Sequence, residues 1–78
     1  MSNADIGLIG LAVLGETLVL TMESHGFTVA VFNRTPSMVD DFVVNGRGAG
    51  KNIIGTYSLE ELCNSLERPR RIMIMVKA

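Results

Sequence analysis

Three small residues at fixed spacing, Gly10-x-Ala12-x-x-Gly15, stand at the end of the apolar run "DIGLIG". Glycine at position 10 permits a tight turn out of a strand. A small residue at position 12 lets backbone approach a diphosphate, and glycine at 15 lets a helix lie close on the strand. Alanine at 12 adds only a methyl group to that G-x-G-x-x-G pattern. The backbone N–H groups of the turn, running from Gly10 through Leu11, Ala12, Val13 and Leu14 to Gly15, then receive phosphate charge together with the positive helix end. Spacing alone is weak evidence. It gains force because a predicted strand precedes the motif and a predicted helix follows it, which is the context the chemistry requires.

A second constellation, Asn33-Arg34-Thr35, begins 18 positions after Gly15, at the end of the next apolar run. A residue about 20 positions past the glycine turn reads the adenosine ribose of a bound dinucleotide. An acid there would accept hydrogen bonds from the ribose hydroxyls of NAD and repel a 2′-phosphate. Asn33 removes the repulsion. Arg34 adds a planar, charged fork that suits phosphate oxygens and can stack on an adenine. Thr35 adds a hydroxyl at a predicted helix start, where N–H groups favour anions. All three favour NADP over NAD. Without the glycine turn in register, the same triplet would be only a polar turn with a solvated arginine.

Other reactive side chains are less informative. His25 falls at a helix end beside Gly26, a position that suits capping better than catalysis. Cys63 lies on an apolar helix face and reads as a core residue. Met73 and Met75 alternate with isoleucines and also read as core. Arg68, Arg70 and Arg71 crowd the start of the last strand, opposite the expected ligand side. Lys77 and Ala78 fall at its carboxyl end, the ligand side of an open α/β sheet, and are candidates for backbone contact with a cofactor.

These residues need elements to position them. "DIGLIG" and "FTVAVFN" read as strands, and "LGETLVLTMESHG" as a helix with Leu14, Leu18, Met22 and Leu11 on one face. Thr35 and Pro36 signal a second helix start. "GRGAGKN" reads as loop, with a small strand or turn through Ile53 and Ile54. Ser58 and Glu61 form a capping box before a helix whose apolar face is Leu59, Leu62, Cys63 and Leu66. "RRIMIMV" reads as a third buried strand. The order, β-α-β-α-α-β, is α/β: a Rossmann-like parallel sheet, the first half of a doubly wound dinucleotide-binding domain. In such a half the crossover helices share one face, yet the strands are apolar at successive positions and need cover on both. The expectation is a partial NADP-binding domain, residues 1–78, belonging to something larger. A dimer that covers the second face is the alternative.

Composition limits the partners. The chain has 78 residues, 7 Lys+Arg against 8 Asp+Glu, and one cysteine. A near-neutral chain without a basic stripe is not built for nucleic acid. No run approaches the roughly 20 apolar residues of a membrane span, and no signal peptide is visible. The single cysteine suits a reducing compartment, the cytoplasm.

"ADIGLIGLAVLGETL", "HGFTVAVFNRTPSMVDDF" and "RPRRIMIMVKA" together resemble the N-terminal segment of the 6-phosphogluconate dehydrogenases, in one register over essentially the whole chain. The related β-hydroxyacid dehydrogenases share only the glycine pattern. The resemblance implies that the glycine turn holds the NADP diphosphate and that Asn33, Arg34 and Thr35 hold the 2′-phosphate. It also implies that Val76, Lys77 and Ala78 line the nicotinamide side. It implies an oxidoreductase of the pentose phosphate pathway that converts 6-phosphogluconate to ribulose 5-phosphate and carbon dioxide, working as a homodimer. The family's catalytic lysine and glutamate fall beyond residue 78, so no catalytic residue is expected here, and this chain alone is expected to be inactive. Glu16 and Met38 stand where the family usually has glutamine and lysine, so a carboxylate is expected near the diphosphate. The alternative function is a non-catalytic nucleotide-binding or dimerisation module from a truncated product, or the NADP domain of a related β-hydroxyacid dehydrogenase.

Overall fold

The computed structural model describes residues 3–67 and 71–75. Seven elements follow in order: β1 (Ile6–Ile9), α1 (Val13–Ser24), β2 (Val29–Phe32), α2 (Pro36–Val43), β3 (Ile53–Thr56), α3 (Leu59–Asn64) and β4 (Ile72–Ile74). The weak strand expected at Ile53 and Ile54 is therefore a full member of the sheet, and the order is β-α-β-α-β-α-β. All pairings are parallel, in the spatial order β3-β2-β1-β4.

That order decides which face each helix covers. From β1 the chain steps outward twice in one direction, through α1 to β2 and α2 to β3. Right-handed crossovers put both helices on one face. The step from β3 to β4 runs back across β2 and β1, so the same handedness puts α3 on the opposite face. Two apolar clusters result. Leu8, Val19, Val29, Val31, Val39 and Phe42 fill the first, under α1 and α2; Ala4, Ala30, Leu62 and Leu66 fill the second, under α3. The expectation that all helices share a face and leave the other bare is thus corrected. A Cβ on Gly7 would stand 3.2 Å from Leu66 Cδ1, which shows how closely the α3 side lies on β1. Burying each large side chain of these clusters is worth about 1.5–3 kcal/mol.

Two further expectations are corrected. Among the described residues the last strand is not buried: Ile72, Met73 and Ile74 are 39%, 36% and 63% exposed, and β4 pairs with β1 alone. In α1 the inward face is Gly15, Leu18, Val19 and Met22, while Leu14 is 65% exposed. The phase of α1 is set by Gly15, which alone can face the Gly10 carbonyl; Leu14, one residue earlier, is rotated outward. In α3 likewise, Leu59 is exposed and Leu62 is buried.

Candidate functional site

The reversal of strand order falls between β1 and β4, and a ligand crevice opens at the carboxyl ends of strands at such a point. Gly10 ends β1 with φ of 107°, a conformation that glycine adopts without strain. Its N–H donates to the Phe32 carbonyl at 2.9 Å, which ties the turn to β2. The helix then starts at once. A Cβ on Gly15 would lie 2.2 Å from the Gly10 carbonyl oxygen, so only glycine permits this approach.

Asn33 joins the two constellations. Its Oδ1 accepts a hydrogen bond from the Leu11 N–H at 2.9 Å, across 22 residues of sequence. Its Nδ2 stands 3.1 Å from Met38 Sδ and 3.5 Å from the Thr35 carbonyl, to which it donates. Half of the Asn33 amide is thus spent on fixing the glycine turn, a role that sequence reasoning did not give it. Thr35 occupies the N-cap of α2 in extended conformation, with Pro36 at the helix start, but its hydroxyl makes no capping bond. That hydroxyl is not spent on the helix. Arg34 is exposed.

Gly10, Ala12, Asn33, Arg34 and Thr35, with Met38 and Met75, line one open groove of about 340 Å³. Sequence reasoning placed Met75 in the core. It packs partly on the first cluster but also lines this groove, its N–H donating to the Ile9 carbonyl at 2.7 Å. The signal was its position, one residue past the end of β4 on the ligand side. Leu11 is buried, and Val13 and Leu14 are exposed at the start of α1, outside the groove lining. Val76, Lys77 and Ala78 lie outside the described residues, as do Arg68 and Arg70.

A second cavity, of about 370 Å³, lies at the opposite end of the sheet between Asp5, Ile6, Met22, Phe27 and Arg71. It is the more apolar of the two and holds none of the motif residues, so the chemistry favours the carboxyl-end groove. His25 caps α1 at its C-terminal end, away from that groove, with its N–H on the Met22 carbonyl. Cys63 is half-buried on α3. Among the described residues, no group of three or more His, Cys, Asp or Glu could hold a metal ion, and no helix is long and apolar enough to cross a membrane.

Comparison with known proteins identifies the family. The family model for the NAD binding domain of 6-phosphogluconate dehydrogenase matches residues 5–78. The decarboxylating 6-phosphogluconate dehydrogenase of Dictyostelium discoideum is 65% identical over 77 residues, covering 99% of this chain and 15% of its own length. That of Caenorhabditis elegans is 55% identical over 78 residues, covering 100% of this chain and 16% of its own. Among solved structures, Plasmodium falciparum 6-phosphogluconate dehydrogenase, determined in its apo form, with its cofactor NADP+ and with its substrate 6-phosphogluconate, superposes with a TM-score of 0.82. It is 39% identical, over 95% of this chain and 16% of that one. The chain therefore spans about a sixth of the length of these relatives. By sequence and fold alike, it belongs to the family of 6-phosphogluconate dehydrogenase NAD binding domains.

Proposed function

We propose that the chain binds NADP as the first part of the dinucleotide-binding domain of a decarboxylating 6-phosphogluconate dehydrogenase. The observation that carries this reading is the Asn33–Leu11 hydrogen bond, which holds the phosphate-receiving turn and the Asn33-Arg34-Thr35 triplet around one groove. The groove fits the cofactor. Gly10 turns the chain sharply out of β1, Gly15 lets α1 start close against it, Ala12 adds only a methyl group where a diphosphate must come close, and α1 presents its N-terminal N–H groups there. In this reading Leu11, Ala12, Val13 and Leu14 supply backbone donors to the diphosphate. Arg34 and Thr35 take the 2′-phosphate, and the Asn33 Nδ2 assists. Val76, Lys77 and Ala78 line the nicotinamide side. Bound NADP would supply a hydride acceptor at its nicotinamide.

The whole protein, in this proposal, is an oxidoreductase that oxidises and decarboxylates 6-phosphogluconate as a cytoplasmic homodimer. The residues of this groove bind and orient; none of them moves a proton.

Calorimetric titration with NADP and, separately, NAD tests the reading. NADP should bind at least about ten-fold more tightly, a preference of about 1.4 kcal/mol, and Arg34→Ala should abolish it. Equal affinity for the two cofactors, unchanged by Arg34→Ala, would contradict it.

A further inference from the structure

Glu16 follows Gly15 and lies in the first turn of α1, the end that receives the diphosphate in the reading above. A carboxylate there favours the helix, whose N-terminal dipole it complements, yet it opposes an incoming anion. The fold brings a counter-charge to it from 31 residues away: Arg47 Nη2 donates to Glu16 Oε1 at 3.2 Å. Arg47 belongs to the loop between α2 and β3. That loop has its own anchors, since the Gly48 N–H donates to the Phe42 carbonyl at 3.0 Å and the Asn52 N–H to Glu23 Oε2 at 3.2 Å. The two side chains of the pair are 53% and 28% exposed, too wet for the bridge to contribute much to folding. Its consequence is electrostatic: a positive charge beside the carboxylate opposes its field at the N-terminal end of α1.

We propose that Arg47 is a positioning residue for the dinucleotide. By neutralising Glu16 it lets a helix start that carries an acid still accept the diphosphate. The inference rests on the dinucleotide reading, and its test separates the two.

NADP affinity is measured by calorimetry at low salt for the wild-type protein, Arg47→Ala, Arg47→Lys, Glu16→Gln and the double variant Glu16→Gln/Arg47→Ala. Arg47→Ala should weaken binding about three- to ten-fold, the effect of one uncompensated charge in a largely aqueous setting. Arg47→Lys, which keeps the charge, should stay near wild type. Glu16→Gln removes the charge that Arg47 opposes, so the double variant should return to within about two-fold of wild type. The loss in Arg47→Ala should also shrink at about 0.5 M salt, where charges are screened within a few ångströms.

A double variant as weak as Arg47→Ala would overturn the proposal, because it would give Arg47 a structural role or a direct contact that glutamine at 16 cannot replace. Wild-type affinity in Arg47→Ala would overturn it as well, while leaving the dinucleotide reading intact. Failure of the wild-type protein to bind NADP would overturn both.

Discussion

Replacing Gly15 by alanine sets two effects against each other. In an open helix the change gains about 1 kcal/mol of helix propensity. Here the new Cβ would stand 2.2 Å from the Gly10 carbonyl oxygen, with Leu8 Cδ2 at 3.5 Å behind it. Real Cβ contacts essentially never fall below 3.0 Å, so α1 and β1 must separate by about 0.8 Å. Neither side yields easily: the Gly10 N–H is tied to Phe32, and the Leu11 N–H is tied to Asn33. Separation also loosens the apolar cluster that holds Val19 and Leu8, both fully buried. Overpacking costs up to about 3 kcal/mol where backbone on both sides is tied down, as here, and set against the propensity gain it leaves a net loss of about 2. In a domain of this size that lowers the melting temperature by about 8–16 °C. Thermal unfolding followed by circular dichroism reads it directly, and NADP affinity should fall alongside. Gly26→Ala is the control: Gly26 has φ of 95° and no neighbour near its Cβ, so it should cost only about 1–2 kcal/mol of backbone strain and leave cofactor affinity unchanged. An unchanged or raised melting temperature in Gly15→Ala would refute the reasoning.

Three further outcomes are expected. Asn33→Ala strips the Leu11 N–H of its partner and should destabilise the fold by about 1–3 kcal/mol in chemical denaturation; Asn33→Asp keeps the acceptor, should cost little stability, and should weaken NADP far more than NAD. Thr56 is fully buried and its hydroxyl donates to the Val31 carbonyl at 2.7 Å, so Thr56→Val should lower stability by about 1 kcal/mol by the same measurement. The Tyr57 hydroxyl donates to Asp40 Oδ1 at 2.5 Å, and this bond, with lesser contributions from its surroundings, raises its pKa above the ordinary 10.0. An absorbance titration should show the phenol ionising above pH 10 and moving back down in Asp40→Asn; whatever the bond adds to stability is present at neutral pH and lost as pH rises through the folded-state value.

Much of the candidate groove is legible in the sequence because its demands on the backbone are local. A turn that must bare its backbone needs glycine or alanine at fixed positions, and Gly10, Ala12 and Gly15 supply them before any tertiary contact forms. The strand–helix alternation then fixes where Asn33, Arg34 and Thr35 fall. What escapes the sequence depends on partners far along the chain. The face of the sheet that α3 covers follows from which edge β4 joins, and nothing local to either element announces it. The phase of α1 is hidden because glycine contributes nothing to a hydropathy pattern, although Gly15 is the residue that sets it. The capping box of α3 is half as expected: Ser58 Oγ accepts from the Glu61 N–H at 3.0 Å, but the Glu61 carboxylate takes the N–H of Tyr57, one residue before the cap. The pairing of Glu16 with Arg47 likewise requires the loop before β3 to lie along α1.

The central claim is that a 2′-phosphorylated dinucleotide binds at the carboxyl end of the sheet. Amide-resolved NMR of the isotope-labelled protein, titrated with NADP, tests it most directly. The account predicts shifts at Gly10, Leu11, Ala12 and Gly15 and at Asn33, Arg34 and Thr35, with those at Arg34 and Thr35 reduced when NAD replaces NADP. Shifts confined to Asp5, Phe27 and Arg71, around the cavity at the other end, or no shifts at all, would contradict it.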